Sequence, residues 1–312
     1  MLRNKDWVGT MQPAENSRAF LHKLLQHPPI LPFEPALLPM LFAMTREDST
    51  ASIRDLVTLI EHSQNLASRV LALANSAAYG LAFKVSALHQ AISILGIREI
   101  RRMVLLVGIS SAIRETKLPK AFGITALWKH QLNVAAVTKA LTVELGGASG
   151  VCGPLAKEED RLNMAPDEAY VIGLLHDIGK VFFAAGRPDL WEAVEEIRKK
   201  GGQRYVEAEN SYWSIDHALI GARVLHSWKL PLLLTEPINW HHAPELAPTY
   251  TMEARLLAAA DHIVHSGLDA ESGLCEEAVA LLPEGTDAAA LAVAMAQSLA
   301  GASPETLVTL VK

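Results

Sequence analysis

The sequence YVIGLLHDIGK, from Tyr170 to Lys180, places a histidine and an aspartate directly after a run of apolar residues. Such a run predicts a buried helix, so we expect His176 and Asp177 to lie inside the protein. Burial of an unpaired carboxylate is unfavourable, and a partner or a metal ion must therefore compensate for Asp177. Lys180 follows Asp177 by about one helical turn, where its ammonium can pair with a site carboxylate or contact a phosphate oxygen.

Helical periodicity continues on both sides of this stretch, and the alternating β-branched and aromatic runs that are typical of strands are scarce. The sequence therefore predicts an all-α fold, a bundle of many helices. Besides a helix that begins at Pro166 and carries the quoted stretch, helices are expected over residues 37–44, in two short segments between 52 and 75, over 86–95, 97–114, 125–145, 189–200, 203–209, 215–228, 232–240, 253–265, 276–282 and 286–299, and after Pro304.

Interruptions of the helical pattern predict how the chain is divided. Five prolines from Pro28 to Pro39 disfavour helix and predict an extended lead-in before the short helix at 37–44. The segment Pro119–Gly123 is the candidate boundary between two lobes, and residues 147–166 have no apolar period and predict a surface loop. The expected units are an amino-terminal extension (1–30), an amino-terminal helical lobe (31–118), a larger lobe that carries the candidate site (119–267) and a carboxy-terminal helical extension (268–312).

The composition is that of a folded protein and excludes several classes. Apolar types make up 50% of the 312 residues and charged types 20%, which excludes intrinsic disorder as the main state. The net charge of −6 gives no general attraction for a phosphate backbone, so no nucleic-acid partner is expected. Cys152 and Cys275 lie far apart in segments of unlike character, which excludes a disulfide framework and a zinc site with cysteine ligands. No GxSxG or GxxxxGK[ST] motif supports a serine hydrolase or a Walker-type nucleotide site.

Apolar segments bear on localisation. The amino terminus lacks the apolar core of a signal peptide. The longest charge-free apolar stretch, Met103–Ile113, is shorter than the roughly 18 residues that a membrane span needs. We therefore expect a cytoplasmic protein without a membrane partner.

A basic cluster opens the helix that is predicted over residues 97–114. Arg98, Arg101 and Arg102 stand close together there, ahead of sequence that is mostly core by composition. Charge runs at helical spacing are usually solvated. We therefore interpret the three arginines as a solvent-exposed face.

Histidine is the residue type that points to a function. The chain has twelve histidines, and some of them form an ordered series with aspartates in the second lobe. Neutral imidazole and carboxylate together suit borderline divalent metals such as iron, manganese, zinc and nickel, and adjacent ligands can serve neighbouring ions. Each member of the series lies on or at the end of a predicted helix, and Asp177 is the candidate bridging carboxylate. The series consists of His130, His176, Asp177, His217, His241, His242 and Asp261.

Each member of the series also has an ordinary explanation when it is taken alone. His130 or His217 could be a hydrogen-bonded histidine on an amphipathic helix. The pair His241 and His242 could cap a helix end, and Asp261 could pair with a nearby arginine or face solvent. The joint pattern favours a metal site over these separate explanations. The other histidines fit no such series and are expected at the surface or in the core: His22, His27, His62, His89, His226, His262 and His265.

Several stretches resemble a known family. LLHDIGK at 174–180 is similar to the signature of the HD superfamily of metal-dependent phosphohydrolases, whose ligand order is His, then His-Asp, then Asp. Further stretches resemble the HD-related output domain (HDOD), a bacterial signalling module, over roughly Leu31 to Gly267. The resemblance implies an all-α bundle of the HD-domain type. The matching stretches are LALANSAAYG at 71–80, VSALHQAISILGIREIRRMVL at 85–105, Trp128 with His130, DHALIGARVLHSWKLP at 216–231 and INWHHAPE at 238–245.

The resemblance also implies two sets of metal ligands. HDOD proteins often lack parts of the HD metal site and are generally viewed as regulatory or protein-interaction modules, whereas this chain keeps the whole series. Its additional histidines line up with ligands of the HD-GYP phosphodiesterases, which hydrolyse cyclic di-GMP. By this likeness one metal would be held by His130, His176, Asp177 and Asp261, and a second by Asp177, His217, His241 and His242.

Two departures count against a transfer of the phosphodiesterase activity. The GYP motif is absent after the paired histidines, where residues 243–250 are APELAPTY. Ala126 stands one turn before His130, at a position where trinuclear relatives carry a glutamate. We therefore expect a dinuclear site.

Three functions follow as hypotheses. The first is a cytoplasmic signalling protein that binds two divalent metal ions, with iron expected first and manganese, nickel or zinc as alternatives, and that acts with a protein partner in a signalling pathway. The second is a metal-dependent phosphohydrolase for a nucleotide or cyclic dinucleotide, in which Asp177 and Lys180 would be catalytic residues. The third is a metal-free protein-interaction scaffold. The missing motif favours the first hypothesis over the second.

Overall fold

The computed structural model describes residues 13–31, 34–45, 49–76, 80–114, 117–146, 162–202, 204–267 and 273–301. The helices and turns of these residues form an all-helical fold, which confirms the all-α prediction. One continuous apolar core extends through the described residues from Phe20 to Met295. The packed helices therefore hold residues from distant parts of the sequence against one another.

Side-chain caps begin several helices of the amino-terminal part. The Ser52 hydroxyl accepts from the Asp55 N–H at 3.3 Å, and the Asp55 carboxylate accepts from the Ser52 N–H at 2.8 Å, which forms a capping box. Ser63 caps the following helix, and Gly96, with a φ of 85°, allows a sharp junction between two others. The helices are α1 (Pro13–Gln26), α2 (Leu37–Met44), α3 (Ile53–Glu61), α4 (Gln64–Ala74), α5 (Leu88–Leu95) and α6 (Ile97–Arg114).

Helix α1 is a helix that the sequence analysis did not predict, whereas the described residues between α1 and α2 are not helical, as the prolines indicate. Its Phe20 ring lies 5.3 Å from the ring of Trp213, measured between centroids. The same ring lies 2.5 Å from the position that a Cβ atom on Gly186 would occupy. The prolines that disfavour helix begin only at Pro28, after α1 has ended. The helix is held by residues that are distant in sequence, so the local pattern gave little sign of it.

The carboxy-terminal part corrects a second prediction, because the helix expected through Tyr170–Lys180 is broken at His176 and Asp177. Asp177 leaves the helical conformation, with φ −98° and ψ 5°. The break lets its carboxylate contact Lys180 and His217, which compensate for its buried charge. The helices are α7 (Ile124–Glu144), α8 (Pro166–Leu175), α9 (Ile178–Gly186), α10 (Pro188–Gly201), α11 (Tyr205–Trp213), α12 (His217–Ser227), α13 (Leu232–Trp240), α14 (Thr251–Ser266), α15 (Glu276–Leu281) and α16 (Ala288–Gly301), with one 3-10 turn at Pro244–Leu246.

Two glycines allow helices to approach closely around this break. A Cβ atom on Gly173 would lie 2.5 Å from the Cα atom of Ala135, so α8 packs directly on the backbone of α7. A Cβ atom on Gly179 would overlap the carbonyl oxygen of His217, so α9 packs directly on the start of α12. These contacts bring α7, the α8–α9 break and α12 together.

Among the described residues one segment, Pro166–Gly186, is long and apolar enough to cross a membrane by length and composition alone. It is divided into α8 and α9, and 78% of its most apolar window is buried inside the fold. The segment forms the core of the carboxy-terminal part.

The interpretation of the basic cluster as a solvent-exposed face is wrong for one of its arginines. The side chain of Arg98 is 69% exposed, but Arg101 is only 4% exposed. Arg101 donates a hydrogen bond to Thr45 Oγ1 at 3.1 Å, and its guanidinium lies over the ring of Phe42. The close packing of α2 on α6 covers this position on the helix.

Some predictions fall on parts of the chain that the structure does not describe. Residues 147–161 of the predicted surface loop, with Cys152 among them, lie outside the described residues. The final helix predicted after Pro304 lies outside them too. The end of that loop is described, and Leu162 and Met164 are buried in the core there. The division into four units stays a prediction.

Candidate metal centre

The structure brings together all seven residues of the histidine and aspartate series. His130 lies on α7, His176 and Asp177 lie at the α8–α9 break, and His217 begins α12. The paired histidines follow α13, and Asp261 lies on α14. Within the described part of the chain they form three overlapping groups whose ligand atoms lie within 4.8 Å of one another: His130 with His176 and Asp261, His176 with Asp177 and His241, and His217 with His241 and His242.

Two histidines are oriented by backbone carbonyl groups. His176 Nδ1 donates to the carbonyl oxygen of Gly173 at 2.8 Å, and His241 Nδ1 donates to that of Ile238 at 2.7 Å. A carbonyl oxygen only accepts, so the lone pair of each ring lies on Nε2. Both Nε2 atoms are buried and have no hydrogen-bond partner among the described residues. Metal-ligating histidines typically show this arrangement, in which one nitrogen is fixed and the other faces the ion.

The same two rings are held in the neutral form that binds metals. Burial lowers the pKa of His176, and it lowers the pKa of His241 to about 3. Burial and the neighbouring histidines also hold the pKa of His242 well below its usual range. A neutral imidazole has a free lone pair at physiological pH, and the three rings are therefore ready to coordinate.

His217 lies between two carboxylates. Its Nδ1 donates to Glu209 Oε2 at 2.6 Å, and its Nε2 lies 2.9 Å from Asp177 Oδ1 and 3.0 Å from His242 Nε2. Burial alone would lower the pKa of His217, but the charges of Glu209 and Asp177 outweigh it and raise this pKa to about 9. The arrangement fixes the ring and directs its Nε2 towards the aspartate, and a cation bound there would have to displace the Nε2 proton.

The two aspartates occupy complementary places. Asp177 directs Oδ1 towards His217, and its Oδ2 lies 3.5 Å from His176 Nε2 and 2.6 Å from Lys180 Nζ. Asp261 Oδ1 lies 2.9 Å from His130 Nε2 and 3.7 Å from His176 Nε2. Burial would raise the pKa of both carboxyls, but the cation and the imidazoles around them lower it. Lys180 lowers the pKa of Asp177 most strongly, and His130 lowers the pKa of Asp261 most strongly. Both are therefore ionised, as metal ligation requires.

Glu209 is a site residue that the sequence analysis missed. It is fully buried, and the oxygen that binds His217 Nδ1 also accepts from the His217 backbone N–H at 3.0 Å. A signal was present, because Glu209 falls at a helical spacing between the buried Val206 and Trp213. A charged residue in an apolar stripe predicts a buried partner.

Glu209→Gln should weaken metal binding while the protein stays folded. The amide keeps the shape of the side chain but removes the negative charge that orients His217, and loss of such a supporting partner typically costs about 10- to 100-fold in metal affinity. Competition against a chromophoric chelator measures this affinity. Glu196→Gln, at an exposed ion pair with Lys200, is the control and should bind metal as the parent does. Equal affinities in the two variants would contradict the role of Glu209.

Comparisons with known proteins agree with this architecture. An uncharacterized protein of Treponema pallidum (strain Nichols) is 26% identical over 202 residues, which cover 65% of this chain. The match spans 36% of that protein, so this chain corresponds to about a third of its length.

Two crystal structures share the fold. One, from Shewanella amazonensis SB2B, carries the name "Putative phosphohydrolase"; it has a TM-score of 0.70 and 23% identity, and the match covers 94% of this chain and 98% of that one. The other, from Marinobacter aquaeolei VT8, carries the name "Putative signal transduction protein"; it has a TM-score of 0.69 and 18% identity, and the match covers 97% of this chain and 66% of that one.

The family model of the HDOD domain provides the assignment. It matches residues 31–244, which is more than half of the chain and includes six of the seven residues that meet at the candidate centre. Asp261 lies beyond the matched segment, on α14. The chain belongs to the HDOD domain family.

Proposed function

We propose that this chain is a bacterial cytoplasmic signalling protein that holds a dinuclear divalent metal centre. The observation that carries the proposal is the pair of buried Nε2 atoms on His176 and His241, which have no hydrogen-bond partner among the described residues. An unsatisfied buried polar atom is unfavourable, and two of them aimed at the same group of carboxylates and imidazoles fit a site built for cations.

The donor set fits two ions that share one carboxylate. The first ion would be held by His130, His176, Asp177 and Asp261. The second would be held by Asp177 and by the three remaining histidines. Asp177 suits the bridging role because its two oxygens are directed to different groups, Oδ1 to His217 and Oδ2 to His176. A set of imidazoles and carboxylates without thiolates suits iron, manganese, nickel and zinc alike, and of these we propose iron first.

The regulatory role is supported by the family and by the state of Lys180. The HDOD match and a structural relative named for signal transduction favour a protein that acts with a partner in a signalling pathway. Lys180 Nζ is held by Asp177 at 2.6 Å, and its ammonium also lies over the ring of Tyr205. The ammonium that a phosphohydrolase would direct to its substrate therefore has a structural task here.

Metal analysis of the protein purified from unsupplemented cells tests the proposal. We expect about two transition-metal ions per folded chain by inductively coupled plasma mass spectrometry, with iron as the main species. Anomalous scattering at the metal edges would show where each ion lies. A metal-free protein of unchanged thermal stability would contradict the proposal and favour the scaffold hypothesis.

Removal of metal should lower the stability of the fold. The ligands come from α7, α12, α14 and the ends of α8 and α13, so ions that bind them stabilise the folded state by mass action. At metal concentrations of about 100 to 1,000 times Kd, this corresponds to a fall in Tm of roughly 5–15 °C on chelation. Differential scanning calorimetry with and without chelator measures the change. The variant Asp177→Asn, treated in the same way, should show no further fall.

One observation keeps the hydrolase hypothesis open, namely the grouping of two carboxylates with five imidazoles, beside which Lys180 remains partly exposed. Bound ions would polarise a phosphoryl oxygen and activate water, which is the chemistry that such a centre supplies. Lys180 would neutralise charge on the phosphate, and Asp177 would orient the ions. Turnover of a panel of nucleotides and cyclic dinucleotides, lost in Lys180→Met with metal content unchanged, would establish this activity. Absence of turnover in the metal-loaded protein would favour the regulatory role.

A further inference from the structure

A second polar cavity lies between α6 on one side and α7 and α8 on the other. Its volume is about 280 Å³. It shares no lining residue with the candidate metal centre. Its charged lining residues are Arg98, Glu99, Arg101, Arg102, Lys139 and Asp167.

Cationic groups exceed carboxylates on the wall of this cavity. Asp167 accepts from Lys139 Nζ at 2.8 Å and lies 3.2 Å from Arg98 Nε. Glu99 lies 2.8 Å from Arg102. Among the charged lining residues that the structure describes, four cations stand against two carboxylates, which is an excess of two positive charges. The excess suits a ligand with two negative charges.

Arg101 supplies the buried part of this positive charge. It is 4% exposed, and its hydrogen bond to Thr45 Oγ1 engages a neutral oxygen. Within the described ranges no carboxylate forms an ion pair with it. Burial lowers the pKa of Arg101, while the charges of Asp167 and Glu168 act in the opposite direction. A guanidinium has five N–H donors, and a buried one without an anionic partner is unfavourable unless a ligand supplies the anion.

We propose that this cavity binds a small molecule that carries a phosphate monoester, with Arg101 and Lys139 among the groups that contact the phosphate. A phosphate monoester carries close to two negative charges at neutral pH, which matches the excess on the wall. Arginine binds phosphate oxygens through two parallel hydrogen bonds, and two further arginines line the same cavity. The volume lies near the lower end of the range of about 300–1,000 Å³ for ligand pockets, which favours a singly phosphorylated metabolite over a dinucleotide.

The position of the cavity connects such a ligand to the signalling role. Tyr170 and Val171 of α8 line the cavity, and the same helix ends directly before His176. The opposite wall belongs to α6, in the amino-terminal part of the chain. A phosphate bound in this cavity would therefore lie between α6 and α8, and α8 positions the candidate metal ligand His176. The site itself needs no metal, so its test is separate from that of the metal centre.

Isothermal titration calorimetry of the full chain with inorganic phosphate tests the proposal. The titration is made in a background that carries both Asp177→Asn and Lys180→Met, so that neither a metal centre nor the ammonium of Lys180 contributes to phosphate binding. We expect saturable binding of phosphate and sulfate but not of nitrate at equal ionic strength. Arg101→Met and Lys139→Met should each weaken phosphate binding by about 10- to 100-fold, because each removes a charge-assisted hydrogen bond.

Two further variants separate a ligand site from a structural ion network. Asp167→Asn should tighten phosphate binding, because it removes the carboxylate that competes for Lys139 and Arg98. Arg204→Met removes an exposed arginine of an unrelated ion pair and should bind phosphate as the background does. If Arg101→Met fails to fold, Lys139→Met and Asp167→Asn decide, since the Lys139 side chain is 44% exposed. Absence of saturable phosphate binding, or equal affinity in all variants, would overturn the proposal whatever the metal content.

Discussion

Replacing Asp177 by asparagine should remove both metal ions from the protein and leave its helices in place. The carboxylate is the proposed bridge, and its two oxygens face His217 and His176 separately. An amide has one oxygen and no charge, so it cannot bridge: one ion loses this ligand, and the other keeps only a neutral oxygen in place of a carboxylate. Loss of a residue that only supports a metal ligand typically lowers metal affinity by up to about 100-fold. Because Asp177 is itself the proposed ligand, we expect a larger fall in affinity. Mass spectrometry gives the metal content, and circular dichroism gives the helix content.

The lysine next to Asp177 requires a second variant. Asp177→Asn leaves the ammonium of Lys180 without its carboxylate, and because Lys180 is partly exposed this costs less than the roughly 3–5 kcal/mol of a fully buried ion pair. The double variant Asp177→Asn with Lys180→Met removes both charges and should regain part of this stability without regaining metal. Asp189→Asn, at an exposed ion pair with Arg187, is the control and should keep its metal. A folded Asp177→Asn protein with full metal content would disprove the bridging role.

Gly179→Ala should both destabilise the protein and disturb the candidate centre. The added methyl group would overlap the carbonyl oxygen of His217 and lie 2.7 Å from the backbone nitrogen of Gly221, so α9 and α12 must move apart. Overpacking of this kind costs about 1–3 kcal/mol and occasionally more. For a chain of this size we expect Tm to fall by roughly 2–5 °C. The same movement would lengthen the 2.9 Å contact between Asp177 and His217, and metal content should therefore fall too.

Gly123→Ala is the matched control for this substitution. A Cβ atom on Gly123 would lie 3.7 Å from the Cβ atom of Ala126, which is an ordinary van der Waals contact. Its backbone has a φ of −81°, which alanine adopts without strain. Thermal melts and metal analysis of the two variants should differ clearly. If both glycines tolerate alanine equally, the direct contact of α9 with α12 does not determine the geometry of the centre.

Local features of the sequence predicted much of the fold. Two short helices were predicted between residues 52 and 75, and Ser52 and Ser63 cap them as α3 and α4, while Gly96 ends α5 at the predicted place. These effects act within one turn of the chain, so a pattern of neighbouring residues contains them. The series from His130 to Asp261 was recognisable for a different reason. Its imidazole and carboxylate groups are metal ligands, and metal binding is the main reason for several of them to occur together in apolar surroundings.

Contacts between distant residues account for what the sequence did not predict. Arg101 has the same charge as its neighbour Arg98, and only the packing of α2 on α6 separates a buried guanidinium from an exposed one. Glu209 supports His217 from the preceding helix, where no motif includes it. The break at Asp177 depends on partners on α9 and α12, whereas the local apolar pattern favours a continuous helix. In each case the decisive partner lies on another element.

The contact between Phe20 of α1 and Trp213 of α11 has a consequence for biosynthesis. The two rings lie 5.3 Å apart in the fold, but Trp213 follows Phe20 by roughly 190 residues in the chain. At about 5–20 residues per second, the ribosome delivers the partner of α1 some 10–40 s after α1 itself. Among the described residues α1 packs mainly on α11 and α12, so its docking cannot be completed before that interval has passed. Contacts of such large sequence separation form late in folding, and α1 is therefore expected to dock after the helices that pack on their sequence neighbours.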